Sequence, residues 1–275
     1  MVQRSKWITV LLYLIGIGYG VSIILPLAWV VMLSLKTQLD AFAYPPLFIF
    51  KPTFEHYAAI FHDDVFVLAI RNSLIIALSS VFLSLLLAVP ATFAIANLTG
   101  RRRRLPLLTI LLIRMAPGMI YLLPYFAIYN RLKLLDTHIG LIIIYLIFNV
   151  PLIIWMLLPV WNSIPRELEE AAVIDGATLW QVLVRVDIPL VRIGIIASGI
   201  LAFIFSWNEF LFALVVTRRE TITLPVAIVR YMAYEGTEWG KISAAAVFIM
   251  VPVVIFGFLI RRYMISGLSA GAVKG

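Results

Sequence analysis

The side chains in this sequence able to do chemistry are few, and most sit where water is scarce. Arg114 lies within an apolar run. A guanidinium at the centre of a bilayer costs about 2.5–3.5 kcal/mol on insertion scales, so Arg114 must face a protein interior or a cavity. Gly118, Tyr121 and Tyr125 follow it at helical spacing, and one helix face then reads Arg, Gly, Tyr, Tyr. Such a face can line the path of a polar solute, with rings stacking and the guanidinium donating hydrogen bonds. It can equally cap the carbonyls of a broken helix. Asn149, Asn208 and Glu209 are further candidates for a pathway. Asn208 and Glu209 serve equally well as buried hydrogen-bond partners. An Arg114–Glu209 ion pair would suit ion-coupled transport. At 1.5 Å per residue, however, the two differ in depth by more than roughly 10 Å, and no pair is expected.

Other chemistries find little support. His56, His62, Asp63 and Asp64 are close in sequence, but their spacing fits no metal-ligand motif, and a solvated outer loop is the expectation. Cysteine is absent, which excludes disulfides and thiolate sites. There is no phosphate-binding loop and no nucleophile–base motif. No catalytic, metal or cofactor residue is assigned, and the chain is not expected to hydrolyse ATP itself. A membrane-embedded enzyme would need a catalytic constellation that the sequence lacks.

One polar stretch stands out, Ile164 to Ala177, continuing through Trp180 and Arg185 to Pro189. It lies between long apolar runs and reads as two short helices around a glycine. Pro165 suits a first helical turn. Glu167, Glu169 and Glu170 follow where the helix dipole favours negative charge. Gly176 suits a helix C-terminus, Thr178 can cap the next helix, and Pro189 should stop or bend the chain. A charged helix pair between membrane spans has the look of a docking surface for a soluble partner.

The elements that position these groups are membrane spans. Of 275 residues, 63% are hydrophobic and 13% charged, against about 25% charged in soluble domains. The net charge of +8 comes from residues at span ends and in loops, which argues for membrane topology rather than nucleic-acid binding. We expect six helices, over about 8–35, 72–98, 105–129, 139–160, 190–216 and 242–260. The third is broken by Pro117-Gly118 and Pro124, as is tolerated beside other helices or a cavity. The first is too long for a signal-peptide core. Arg101 to Arg104, in a very short loop, fix that loop inside. With this topology 12 of the 22 Lys and Arg lie inside, and both termini are cytoplasmic. The fifth span carries Gly194, Ser198, Ala202 and Ser206 at i+4 spacing, a stripe that lets helices approach closely. The whole chain reads as one all-α, polytopic membrane domain.

Glu170-Ala171-Ala172, then Gly176 after three intervening residues, then Val186 and Ile188-Pro189 resemble the EAA loop of bacterial ABC importer permeases. Val186 and Ile188 stand where that family has Ile and Leu. Arg114-Met115-Ala116-Pro117, Leu134-Leu135-Asp136-Thr137, Phe205 to Phe210 and the tail Gly267 to Gly275 are similar to the shorter permease subunit of maltose-type carbohydrate uptake. The resemblance implies a type I importer permease fold, with a transmembrane core over about 70–265, an EAA loop over 161–189 and a tail over 266–275. It implies contact with an ATPase through Glu170, Ala171, Ala172, Asp175, Gly176 and Pro189, and through tail residues Gly267, Leu268, Gly271 and Lys274. It further implies a second permease of different sequence, two ATPase copies that use ATP and Mg, and an extracytoplasmic solute-binding protein probed by the outer segment 218–241. The setting it implies is a bacterial or archaeal cytoplasmic membrane. In that system the sugar is held mainly by the other permease.

Overall fold

The computed structural model describes residues 6–233 and 236–271, with side chains over 7–232 and 236–260. The chain is helical almost throughout, because a backbone in lipid must satisfy its polar groups within each segment. Five described helices are long and apolar enough to cross a membrane, and a bent pair brings the number to as many as six. The long helices are α1 (Lys6–Ser34), α4 (Asp64–Ala96), α7 (His138–Trp161), α10 (Ile188–Asn208) and α13 (Trp239–Gly271). The bent pair is α5 (Gly100–Met115) and α6 (Gly118–Leu132).

Two compact units are distinguished. The first takes Met1–Val67 with Ile228–Val251. The large side chains of α1 are exposed along most of its length, as expected of a span meeting lipid or another subunit. The short helices α2 (Gln38–Ala41) and α3 (Glu55–Phe61) follow it. A solvated loop was expected here, yet His56 is buried and its Nε2 lies 2.8 Å from the Lys36 carbonyl. Asp63 receives the Tyr231 hydroxyl at 3.0 Å, and the exposed His62 meets the Ala58 carbonyl. These side chains therefore serve the local fold separately. Among the described residues no three His, Cys, Asp or Glu gather as metal ligands. The outer segment around Pro225 forms α12 (Leu224–Val229), followed by a two-residue antiparallel pairing of Met232–Ala233 with Gly236–Thr237.

The second unit takes Leu68–Ala227 with Pro252–Gly275. Its centre is α7 against α10. The small-residue stripe makes this possible: a Cβ on Gly194 would already press on Leu157 and Val160, at 3.2–3.3 Å, while Ser198 and Ala202 are wholly buried. One apolar cluster gathers Ile153, Leu157, Trp161, Leu183 and Val191. Another gathers Ile76, Tyr129, Leu141, Ile144 and Phe212. The second holds the α6–α7 turn, where the Tyr129 hydroxyl donates to the Gly140 carbonyl at 3.0 Å. A Cβ at Gly140 would collide with the Leu134 carbonyl oxygen, and Thr137 Oγ1 and the Tyr129 ring leave no relief. Gly140→Ala is therefore expected to cost about 1–3 kcal/mol by overpacking. A lowered melting temperature of the detergent-solubilised protein checks this, and an unchanged one contradicts it.

Three expectations from sequence are corrected. Arg101 to Arg104 form the first turn of α5 rather than a loop, because the left-handed Gly100 (φ +55°) makes the turn just before them. The third span is two helices meeting at 91°, so Arg114 and Tyr121 do not share one helix face. The break falls at Ala116-Pro117, where Pro disfavours helical backbone in the residue before it. The fifth span, expected over about 190–216, does not start after Pro189 but runs over Leu179–Asn208. Helical backbone runs without interruption from Leu179 through a π-helical segment, Leu183–Asp187, into α10. A proline in a regular helix would strike the i−4 carbonyl, here Arg185, and the wider π turn before it accommodates the ring.

Candidate functional site

The polar loop folds as its residue types dictate. Pro165 is the N-cap of α8 (Arg166–Ile174), and Glu167 and Glu169 stand in the first turn. Gly176, at φ +86°, ends the helix. Its N–H donates to Val173 at 3.0 Å and that of Ala177 to Ala172 at 2.9 Å, a Schellman closure that a left-handed residue permits. Thr178 then opens α9 (Leu179–Val182) with a capping box: its Oγ1 accepts the Gln181 N–H, and Gln181 Oε1 accepts the Thr178 N–H.

The result is a rigid corner with an uncovered face. Ile174 is 85% exposed, Leu179 69% and Trp180 67%. Glu170, Ala171, Asp175 and Gly176 are exposed as well, and Ala172 is half-buried. A groove of about 460 Å³ runs between this corner and the end of α4, lined by Phe93, Asn97, Glu169, Glu170, Val173 and Leu179, among others. Its charged lining is Glu169 and Glu170 with Arg166, and exposed apolar side chains with a polar rim mark an interaction surface. Pro189 lies outside the groove, on α10.

Sequence reasoning missed the support beneath this corner. Asp187 is fully buried in the π segment. The Trp161 indole N–H donates to its Oδ2 at 3.3 Å, and its Oδ1 has no partner among the described residues. An acid between Val186 and Ile188 at the head of an apolar run was the available signal.

A second site lies within the membrane. Arg114, Asn149 and Glu209 line a cavity of about 290 Å³ together with Tyr145, Phe148, Phe205, Ser206 and Phe212. Arg114 and Glu209 thus share a cavity despite the depth difference inferred from helical rise. No ion pair joins them among the described residues. Glu209 is otherwise engaged. Its Oε1 accepts the Phe212 N–H at 2.9 Å, and its Oε2 accepts the Ala213 N–H and the Tyr145 hydroxyl, both at 3.1 Å. It caps α11 (Leu211–Val216), and those bonds break the fifth span after Asn208. That arrangement does not favour an ion-coupling role for the pair. Asn149 is 3% exposed and donates to Ser206 Oγ at 2.8 Å.

The other candidates lie elsewhere. Tyr121 and Tyr125 are half-buried and form a ring ladder with Tyr129 and Phe212, at centroid spacings of 6.0–6.1 Å. Asn208 is exposed and bonds back to the Ile204 carbonyl. Tyr145 and Phe148 were missed. They lie four and one residues before Asn149, and Tyr145 shares its helix face. Backbone at Gly267, Leu268 and Gly271 continues α13; their side chains, and all of Lys274, lie outside the described residues.

A latch on the opposite, outer side was also missed. Asp136, at φ +55°, accepts the backbone N–H groups of Arg218, Glu220 and Thr221 and the Thr221 hydroxyl, at 2.7–3.0 Å. Asn72 donates to the carbonyls of Glu220 and Ile222 and lies 2.9 Å from His138 Nε2. Burial pushes the Asp136 carboxyl up, but these donors outweigh it and hold the group below the usual carboxylate range.

Comparison with known proteins identifies the family. Residues 66–269 match the family described as binding-protein-dependent transport system inner membrane component. The chain is 37% identical over 265 residues to the trehalose transport system permease protein SugB of Mycobacterium tuberculosis (strain CDC 1551 / Oshkosh), with 94% of each chain covered. It is 38% identical over 252 residues to the sulfoquinovosyl glycerol transport system permease protein SmoH of Agrobacterium fabrum (strain C58 / ATCC 33970), covering 91% of this chain and 88% of the relative. Its fold matches a chain in the crystal structure of a bacterial ABC transporter involved in the import of the acidic polysaccharide alginate. That match has a TM-score of 0.79 and 25% identity, and covers 96% of this chain and 99% of the other. The chain belongs to the binding-protein-dependent transport system inner membrane component family, and is a multi-pass permease subunit of an ABC importer.

Proposed function

We propose that this permease forms half of the pathway for a carbohydrate or polyol-like solute in a bacterial or archaeal cytoplasmic membrane, and is driven through the α8–α9 corner by a separate ATPase. The observation that carries the coupling role is the exposed, rigidly capped corner, with Ile174, Leu179 and Trp180 uncovered beside Glu170. Its apolar area needs a protein cover, and its acids suit a basic rim on that partner. Closure of an ATPase dimer would push on α8. The unbroken helix from Leu179 to Asn208 carries the push into the membrane as a rigid-body movement. The relatives named for trehalose and for sulfoquinovosyl glycerol support a sugar-containing solute.

The complete importer would comprise this chain, a second permease of different sequence, two ATPase copies and a solute-binding protein that meets the outer segment 218–241. ATP and Mg bind the ATPase, and this chain binds no cofactor. The tail around Gly267, Leu268, Gly271 and Lys274 would add a second contact with the ATPase.

Gly176 provides the test. In Gly176→Val a β-branched residue must take the left-handed conformation, at about 1–2 kcal/mol, or the Schellman closure opens. The variant is expected to insert normally but to lose about tenfold in binding-protein-stimulated ATP hydrolysis, the equivalent of 1.4 kcal/mol. Stimulated hydrolysis at the wild-type rate would overturn the coupling role of the corner.

A further inference from the structure

The cavity between α5, α7 and α10 has unfilled polar capacity. Asn149 is 3% exposed, yet uses only one amide N–H, to Ser206. No hydrogen bond joins its second N–H or its Oδ1 to a described residue, and the Oδ1 is not among the fully enclosed unpaired atoms, so both remain for a ligand in the cavity. Arg114 reaches the same space with five N–H donors in a fixed fork and no carboxylate bound to it. Three phenyl rings, Phe148, Phe205 and Phe212, complete the wall.

This set of groups selects a ligand class. The sole carboxylate of the wall, Glu209, is filled by two backbone N–H groups and the Tyr145 hydroxyl, so a cation finds no free anion. A purely apolar ligand would leave Asn149 and Arg114 unpaired. A polyhydroxylated ring satisfies both demands. Its hydroxyls accept from Arg114 and exchange bonds with the Asn149 amide, while its C–H faces lie on the phenyl rings. At about 290 Å³ the cavity falls just below the roughly 300–1,000 Å³ typical of small-molecule sites. That suits one ring, not a chain of them.

We infer that this subunit itself holds one sugar ring of the solute during transport, between Arg114, Asn149 and the phenyl wall. The inference rests on the carbohydrate reading given above and adds to it a subsite in this chain.

The absence of cysteine allows a clean test. The whole importer, carrying Ala116→Cys at the cavity wall, is placed in lipid nanodiscs with binding protein, ATP and vanadate, and its labelling by a small neutral methanethiosulfonate is timed. The probe is whichever of trehalose, maltose and diacetylchitobiose the complex imports fastest, with inorganic phosphate as the anion control. The sugar is expected to slow labelling about tenfold and phosphate to leave it unchanged, with the sugar's protection lost in an added Asn149→Ala, as when a binding group is removed. Should all three sugars fail to be imported with ATP, the carbohydrate reading falls, and this subsite with it. If import proceeds and the sugar does not slow labelling, the subsite alone is overturned. Protection by phosphate instead of sugar assigns the cavity to an anion and also overturns it.

Discussion

Replacing Glu170 with lysine is expected to lower ATP-driven uptake about a hundredfold while leaving the permease folded and in the membrane. Glu170 is exposed and lines the groove beside Ile174 and Leu179, so its loss removes nothing from the core. Reversing its charge places a cation against the basic rim that the acidic corner is proposed to meet. Like charges across an interface cost several kcal/mol, and about 2.7 kcal/mol already amounts to a hundredfold. Glu167→Lys makes the same change of charge on the same helix, but Glu167 lies outside the groove, and uptake should fall by less than about threefold, as for a surface charge. Uptake and stimulated ATP hydrolysis in proteoliposomes measure both variants. Equal losses would mean that net charge, not the docking face, is at work.

Asp136→Ala is expected to unfasten the outer side. The substitution strips the acceptor from three backbone N–H groups and one hydroxyl. Hydrogen bonds to a charged group contribute about 1.5–3 kcal/mol each, but the exposed Arg218 and Glu220 donors recover water while the buried Thr221 does not, so a net loss of about 2–3 kcal/mol is expected. Asp136→Asn keeps one acceptor oxygen and should lie between. The acid profile follows from the direction of the shift. The folded-state pKa lies below the ordinary value of 3.8, so the carboxylate's contribution is fully present above that value. It is lost as pH falls from there through the folded-state pKa. Thermal melts of wild type against Asp136→Ala should therefore differ most at neutral pH and converge in acid. A gap that stays constant down to acid pH would show that the charge of Asp136 contributes nothing.

The local chemistry of the polar loop was legible because each of its signals is short-range: Pro165 at the start, Gly176 at a left-handed turn, and Thr178 as a cap, to which the structure adds Gln181 as the other half of a capping box. The span pattern was legible because apolar runs need no tertiary information. Where three-dimensional placement decides, the sequence was silent or misleading. Arg114 and Glu209 differ in depth by helical rise, yet they line one cavity beside the 91° bend that follows Met115. Tyr121 and Tyr125 read as one face with Arg114, but they sit on α6 beyond the bend, where Tyr121 packs on Tyr125 and Tyr125 on Tyr129 and Phe212. Pro189 carried the ordinary expectation of a stop, and the π segment upstream absorbed it. Asp136 stood within a motif matched by resemblance. Its function as an acceptor for residues 218–221 depends on a contact some 80 positions away, which no local pattern encodes.

The measurement that bears most directly on the coupling role is a photo-crosslink from position 180. Trp180 is 67% exposed at the corner, and a benzoylphenylalanine there preserves an aromatic side chain. In the assembled importer, irradiation should attach this chain to the ATPase subunit, and the yield should change when ATP and vanadate arrest the closed ATPase dimer. An intact complex that gives no ATPase adduct from position 180, in either the resting or the arrested state, would contradict the account.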